Sequence, residues 1–305
     1  MSPHDPASRV PPRLRRDRDP GDAWVEGPDG ERYWGRFGAA GLMVHDPHRG
    51  VLLQHRALWS HHGGTWGIPG GALHEGESAI DGAFREAAEE ASVPSGAIRA
   101  VATVVDDRSV WRYTTVIARA AQSFTPAPAD AESLELRWVP VEKVGELPLH
   151  PAFHAAWPQL VTMLEVRPRM IVDMANVVGS RPDGWWKDRR AASTRLGDRL
   201  GRLHRLGSAA SDLALPGERW FPAIEAIIEG GARGAAMPAV IDVTEAPGEG
   251  DATLVLRVES SVEHGEHVTV VTSDRLLAAR VTGAGARTWP SGRLWALLDD
   301  LGSGD

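Results

Sequence analysis

Between Gly71 and Val93 the chain reads GALHEGESAIDGAFREAAEEASV, and no other run constrains the fold as much. Its second part predicts an amphipathic helix. Ile80, Phe84, Ala87 and Ala91 recur at i, i+4, i+7 and i+11, one stripe that has to meet a core. Glu86, Glu89 and Glu90 fall at i, i+3 and i+4 on the face away from that stripe. Like charges at this spacing destabilise a helix by roughly 0.2–0.5 kcal/mol per pair. Arg85 stands four residues before Glu89 and offsets part of the repulsion. Ser78, with Asp81 three residues later, predicts the helix start, the aspartate standing in for the glutamate of a capping box. Short acidic patterns of this kind are common on solvated helix faces. A crowded set in a fixed frame is different, because it offers a place for a cation.

The frame is present. Gly71 is followed by five residues and Glu77, then by seven residues and Arg85-Glu86-Ala87-x-Glu89-Glu90, with Val93 as a closing apolar residue. This resembles the Nudix box. Two positions depart from it. Ser92 stands where the family usually has glycine, which suits a left-handed residue at a helix end. Serine adopts that conformation at a cost, or the turn differs before Pro94. Ala87 is small for the box's hydrophobic position. The resemblance covers the first half of the chain and implies an α/β/α sandwich with a mixed sheet and a loop–helix–loop box. It implies hydrolysis of a diphosphate linked to another group, usually a nucleoside, with Mg²⁺ or Mn²⁺. It also implies Glu86, Glu89 and Glu90 as metal ligands, completed by a backbone carbonyl at Gly70 or Gly71, with Arg85 and Glu77 orienting the box. The chemistry agrees: pyrophosphate is a polyanion, and clustered carboxylates are hard oxygen donors suited to cations that bridge to phosphate. The general base stays open among the box glutamates, Asp106, Asp107 and Glu132.

Around the box, FGAAGLMVHD, GVLLQHRA, AVATVVDD, WRYTTVIARA and LELRWVPVEKV predict strands, and PAFHAAWPQLVTML a closing helix with a break or kink near Pro158. A Nudix-like domain is expected over residues 33–165, after a disordered arm at 1–22 rich in Pro, Arg and Asp. In HRALWSHHGGTWGIPGG, Trp59 and Trp66 are candidates to stack on a base, and His61 or His62 to touch phosphate. The competing reading is core packing for Trp66 and a surface loop for the histidines. Trp111 and Tyr113 carry the same ambiguity.

From 169 to 305 strands alternate with helices, which predicts a Rossmann-like, mostly parallel sheet with flanking helices. Asp173 ends MIVD in an apolar strand read over MIVDMANVVG, and Asn176 follows. Glu229 ends AIIE, Asp251 starts a helix and Asp274 ends VTVVTSD. Acidic groups at strand ends can converge on one sheet edge and hold one or two Mg²⁺ or Mn²⁺. The strand-Asp-x-x-Asn start and VTVVTSDRLL resemble the NYN branch of PIN-like nucleases, although Ala252 stands where relatives often carry a second acid. The plain alternative is that these aspartates cap helices and shape turns. Arg195, Arg199 and Arg202 share a helix face and, with Trp185 and Trp186, suggest single-stranded RNA as a partner; Asp188 and Asp198 dilute the patch.

Composition narrows the rest. The chain has 305 residues, no cysteine and a net charge of −8, so thiolate sites and disulfides are excluded, and the charge argues against bulk attraction to nucleic acid while leaving room for a local basic patch. No apolar run approaches a membrane span, and the start lacks a secretory core, so a cytoplasmic protein is expected. The leading expectation is a nucleotide pyrophosphohydrolase with an RNase-like second domain. The alternative is a nucleotide-sensing or RNA-binding regulator with one or both sites silent.

Overall fold

The computed structural model describes residues 19–28 and 30–302. The arm expected over 1–22 lies outside the described residues except for its end. Asp19 to Asp22 form a turn in which Asp22 N–H donates to the Asp19 carbonyl at 2.9 Å and Gly21 N–H to Asp19 Oδ1 at 2.8 Å. The chain divides into two compact units, Met1–Leu164 and Glu165–Asp305.

The first unit opens with a small hairpin of β1 (Trp24–Glu26) and β2 (Arg32–Trp34). Its main sheet holds β3 (Ala39–Asp46), β4 (Gly50–Arg56), β5 (Trp66–Gly67), β6 (Gly70–Ala72), β7 (Ile98–Asp107), β8 (Arg112–Ala120) and β9 (Ser133–Val139). The sheet is mixed: β3 pairs β8 in parallel and β4 and β6 antiparallel, while β4 also pairs β5 and β9 antiparallel. Alternate residues of β3, Ala40, Leu42 and Val44, face helix α1 (Ala79–Ala91) through a shared apolar cluster. Met43 and Leu53, of opposite parity, are buried as well, so both faces of the sheet are covered. Helix α2 (Pro151–Met163) buries Phe153, Leu160 and Met163; Pro158 lies inside it and the helix runs through.

Helix α1 forms as its sequence predicts. The Ser78 side chain accepts from Asp81 N–H, and Ala87 and Ala91 are fully buried with Ile80 and Phe84 packed beside them. At its end Ser92 takes the left-handed conformation, φ 52°, and donates its N–H to the Ala87 carbonyl. The turn has therefore kept its shape and lost its glycine.

The second unit is a five-stranded parallel sheet in the order β14-β13-β10-β15-β16. Its elements are β10 (Pro168–Asp173), α3 (Met174–Gly179), α4 (Arg189–Leu206), a small hairpin of β11 (Ser208–Ala209) and β12 (Arg219–Trp220) around α5 (Ala210–Leu213), β13 (Ala223–Ile228), β14 (Ile241–Glu245), α6 (Gly250–Glu263), β15 (His267–Val271), α7 (Arg275–Gly283), β16 (Arg287–Trp289) and α8 (Ser291–Gly302). Helices α6 and α7 share an apolar cluster with β10, β13 and β15; α3, α4 and α8 pack on one another. One expectation is corrected here. The strand read over MIVDMANVVG stops at Asp173, because the Asp173 side chain caps a helix that starts at Met174. No described helix is long and apolar enough to cross a membrane.

Candidate functional site

The box loop enters as β6, whose Gly70 and Gly71 pair with Gly41 and Ala40 of β3. Close approach explains both glycines. A Cβ on Gly70 would lie 2.5 Å from the Ala40 carbonyl oxygen, and one on Gly71 would lie 2.7 Å from the Glu86 carboxyl. Gly71 is thus glycine because the Glu86 carboxylate rests against it.

Arg85 is the hub of the box. Its Nε and Nη2 bind the two oxygens of Glu77 at 2.8 and 2.9 Å, its Nη1 binds Glu86 Oε1 at 2.7 Å, and its Nη2 also reaches the Ala72 carbonyl at 3.0 Å. The bidentate pair with Arg85 holds the Glu77 carboxyl down to about 2. The contact expected with Glu89 is the long one, 3.5 Å.

The three box glutamates do not share one environment. Glu89 is half-exposed, Glu86 is partly buried and Glu90 is only 4% exposed. The expectation of a common outward face is corrected for Glu90. The helix end is covered by the loop before β9, so Glu90 turns inward. Its Oε2 accepts from Gly70 N–H at 3.0 Å and from Gln54 Nε2 at 3.3 Å. Both donors are neutral. Burial pushes the Glu90 carboxyl well above the usual range, and the nearby Glu132, Glu86 and Asp130 push it further. Burial likewise raises Glu86, against the opposing pull of Arg85.

Asp130 and Glu132 arrive from the loop before β9. Ala127 and Ala129 donate their N–H groups to the carbonyls of Ala91 and Glu90 at the end of α1, and Ala57 N–H donates to the Glu132 carbonyl at 2.7 Å. Oxygens of Glu90, Asp130 and Glu132 come within 4.8 Å of one another, a spacing that can hold a metal ion. Glu86, Glu89 and Glu90 are not such a triple among the described residues. Of the open base candidates outside the box, Glu132 is at the site. Asp106 and Asp107 are exposed and ion-paired with Arg108 and Arg112. Asp130 and Gln54 were not found by sequence reasoning; the acid-rich segment ADAESLEL was the available signal for the first, and nothing local marked the second.

The donor set fits a hard divalent cation. Carboxylates of Glu90, Asp130 and Glu132 come together, Glu86 acts on Glu90 electrostatically, Glu90 is buried on neutral donors, and the arginine nearby is committed to Glu77 and Glu86.

The aromatic candidates separate. Trp66 is 6% exposed, stacked on His55 with centroids 4.7 Å apart and covered by the Arg137 guanidinium at 4.4 Å. It packs in the unit, and its expected base-stacking role is corrected by that burial. Trp59 is half-buried on the loop after β4. His62 is exposed and packs on His61 and His150.

In the second unit the predicted acids follow the carboxyl ends of adjacent parallel strands. Burial raises the Asp173 carboxyl, with Asp251 and Glu229 adding to it; Asp251 is raised by burial and by Asp274 and Glu229. They therefore feel one another, yet no three of them bring oxygens within 4.8 Å among the described residues. Each also has local work. Asp173 accepts from Asn176 N–H and from Thr272 Oγ1 at 3.1 and 2.9 Å, Asp274 caps α7 through Leu276 and Leu277 N–H, and Glu229 accepts from Gly250 N–H. Asn176 departs from its expected place in the metal set. Its Oδ1 accepts from Ser273 N–H at 2.8 Å and Ser291 Oγ at 2.7 Å, so it ties α3 to two neighbouring segments.

Comparison with known proteins bears on the first unit. The NUDIX domain family model matches residues 35–161. A Mycobacterium tuberculosis protein named "Putative 8-oxo-dGTP diphosphatase 3" is 48% identical over 155 residues, which are 48% of this chain and 71% of that protein. A Bifidobacterium longum "Nucleoside triphosphate pyrophosphatase/Nudix hydrolase fusion protein" is 41% identical over 162 residues, 50% of this chain and 34% of that one. Among solved structures, the M. smegmatis Nudix hydrolase RenU is 45% identical and covers 47% of this chain and 94% of its own, with a TM-score of 0.43.

Proposed function

The chain belongs to the Nudix family and is a hydrolase of phosphoric anhydrides, and on that premise we propose that its first unit cleaves nucleoside triphosphates carrying an oxidised purine. The observation that carries the site is Glu90, buried on two neutral donors amid Glu86, Asp130 and Glu132. The substrate class rests on the name of the M. tuberculosis relative.

Glu86, Glu90, Asp130 and Glu132 would hold the cation, with exposed Glu89 at the rim. When bound there, Mg²⁺ or Mn²⁺ would supply charge neutralisation for the phosphates and a more acidic water. Gly70 N–H and Gln54 Nε2 fix the Glu90 carboxylate. Arg85, braced by Glu77, fixes Glu86. Glu132 takes the proton of the attacking water at a carboxylate oxygen, and Trp59 stacks on the base. The backbone carbonyl of Gly71 would complete the donor set.

The test is a panel of 8-oxo-dGTP, dGTP, nucleotide sugars and dinucleoside polyphosphates with Mg²⁺ and resolved products. The proposal expects 8-oxo-dGTP to give the monophosphate and pyrophosphate with the highest kcat/KM. A preference for nucleotide sugars or dinucleoside polyphosphates overturns the substrate class.

A second reading concerns residues 169–305, as a PIN-like, metal-dependent nuclease of the NYN type. Two observations favour it: the strand order β14-β13-β10-β15-β16, which has a topological switch beside β10, and the mutual electrostatic influence of Asp173, Glu229, Asp251 and Asp274 at that edge. Incubation of single-stranded RNA and Mn²⁺ with the wild type and with Asp173→Asn tests it. Equal cleavage by both removes the reading.

A further inference from the structure

The loop after β4 holds a group that the proposed hydrolysis leaves without a role. His61 and His62 on this loop and His150 at the start of α2 bring imidazole nitrogens within 4.8 Å of one another. The rings meet edge to face, with centroids 4.1 Å apart for His61 and His62 and 4.8 Å for His62 and His150. Among the described residues none of the three pairs with a carboxylate.

The frame around them is built. Ser60 N–H donates to the Ala57 carbonyl at 3.0 Å, Gly63 N–H to Ser60 at 2.9 Å and Gly64 N–H to Arg56 at 3.0 Å. Thr65 Oγ1 donates to the His62 carbonyl at 2.6 Å. His150 N–H donates to the Trp66 carbonyl at 2.7 Å, which fastens the start of α2 to β5. Within this frame His62 is held left-handed, φ 55°, a conformation few non-glycine residues occupy.

We propose that His61, His62 and His150 form a site for a Zn²⁺-class transition-metal cation, separate from the carboxylate set and with a fourth position open to water. Neutral imidazole is the ligand such ions take. Burial lowers His61 and takes His150 down to about 4, so both rings are neutral near pH 7. Zn–N bonds of about 2.0–2.1 Å in a tetrahedron place ligand nitrogens about 3.4 Å apart. Rotation of the two exposed rings can close the set to that spacing. His150 Nδ1 at present accepts from Ala152 N–H at 3.3 Å. Coordination ends that contact through either nitrogen, because Nδ1 is then ligated or must carry the proton. The Arg56 guanidinium also lowers the basicity of His61 and His150, and it opposes an added cation.

The experiment is titration of the full chain with Zn²⁺ by calorimetry in excess Mg²⁺, which occupies the carboxylates. One equivalent is expected to bind. His62→Ala and His150→Gln are each expected to weaken it on the order of 100-fold with circular dichroism unchanged. Arg56→Met is expected to tighten it, whereas an anion site would lose affinity. Co²⁺ in place of Zn²⁺ is expected to give the intense visible bands of a low-coordinate nitrogen site. Zn²⁺ binding unaltered in both histidine variants, no Zn²⁺ binding by the wild type, or weaker binding in Arg56→Met overturns the proposal.

Discussion

Both units gather carboxylates, the first between helix α1 and the loop before β9 and the second beside strand ends, but they use them differently. In the first unit Glu90 is buried, bonded only to neutral donors, and pushed up by three other acids. In the second, Asp173, Asp274 and Glu229 already hold helix starts, and burial with the neighbouring acids raises Asp173 against those bonds. A carboxylate that caps a helix has a reason to be there without a metal. A buried one facing other carboxylates has none, and relief by a cation supplies it. Acidic residues in a sequence mark both cases alike; what separates them is whether the charge has been answered locally.

Substitutions sharpen the contrast. Glu90→Gln is expected to lower Mg²⁺-dependent pyrophosphohydrolysis on the order of 10³-fold. In EDTA the same variant is expected to melt at or above the wild-type temperature, because an uncompensated buried charge is gone; a marked fall in Tm would mean that Glu90 is structural. Gly71→Ala is next, with kcat down on the order of 100-fold as the new Cβ displaces the Glu86 carboxylate 2.7 Å away. Asp173→Asn is expected to leave pyrophosphohydrolysis unchanged, and any cleavage of RNA to fall; a loss of nucleotide hydrolysis would break the separation of the two sites.

Smaller effects test the frame of the box. Glu77 titrates at about 2 in the fold against an ordinary value near 4.5. Between those values the unfolded chain binds more protons than the folded one. Stability conferred by the Glu77–Arg85 pair is therefore present above about pH 4.5 and is lost as pH falls toward about 2. Glu77→Gln is expected to flatten that part of a urea-denaturation pH series measured in EDTA. The least effect is Ser92→Gly. Removing a left-handed Cβ at φ 52° is expected to stabilise the first unit by about 1 kcal/mol, with kcat/KM unchanged.

How much could be read beforehand follows from sequence distance. Helix α1, its Ser78 cap and its apolar stripe depend on residues within a few turns, and they were legible. So were the alternating strands and helices of the second unit. The inward turn of Glu90 was not, because the cover comes from Ala127–Glu132, and Gln54 lies on another strand. The helix α3 was hidden in an apolar run whose β-branched Val177 and Val178 read as strand; the Asp173 cap decides otherwise. Trp66 was ambiguous for a related reason: its partners His55 and Arg137 come from neighbouring strands, so burial could not be seen in its own segment.

The central claim is that buried Glu90 with the carboxylates around it, and not acidity in general, makes the catalytic cation site. Titration with Mn²⁺ followed by electron paramagnetic resonance tests it on three proteins: the wild type, Glu90→Gln and Asp173→Asn. The account predicts that the tightest Mn²⁺ site of the wild type survives in Asp173→Asn and is weakened at least about tenfold in Glu90→Gln. Equal Mn²⁺ affinity in Glu90→Gln and the wild type would contradict it.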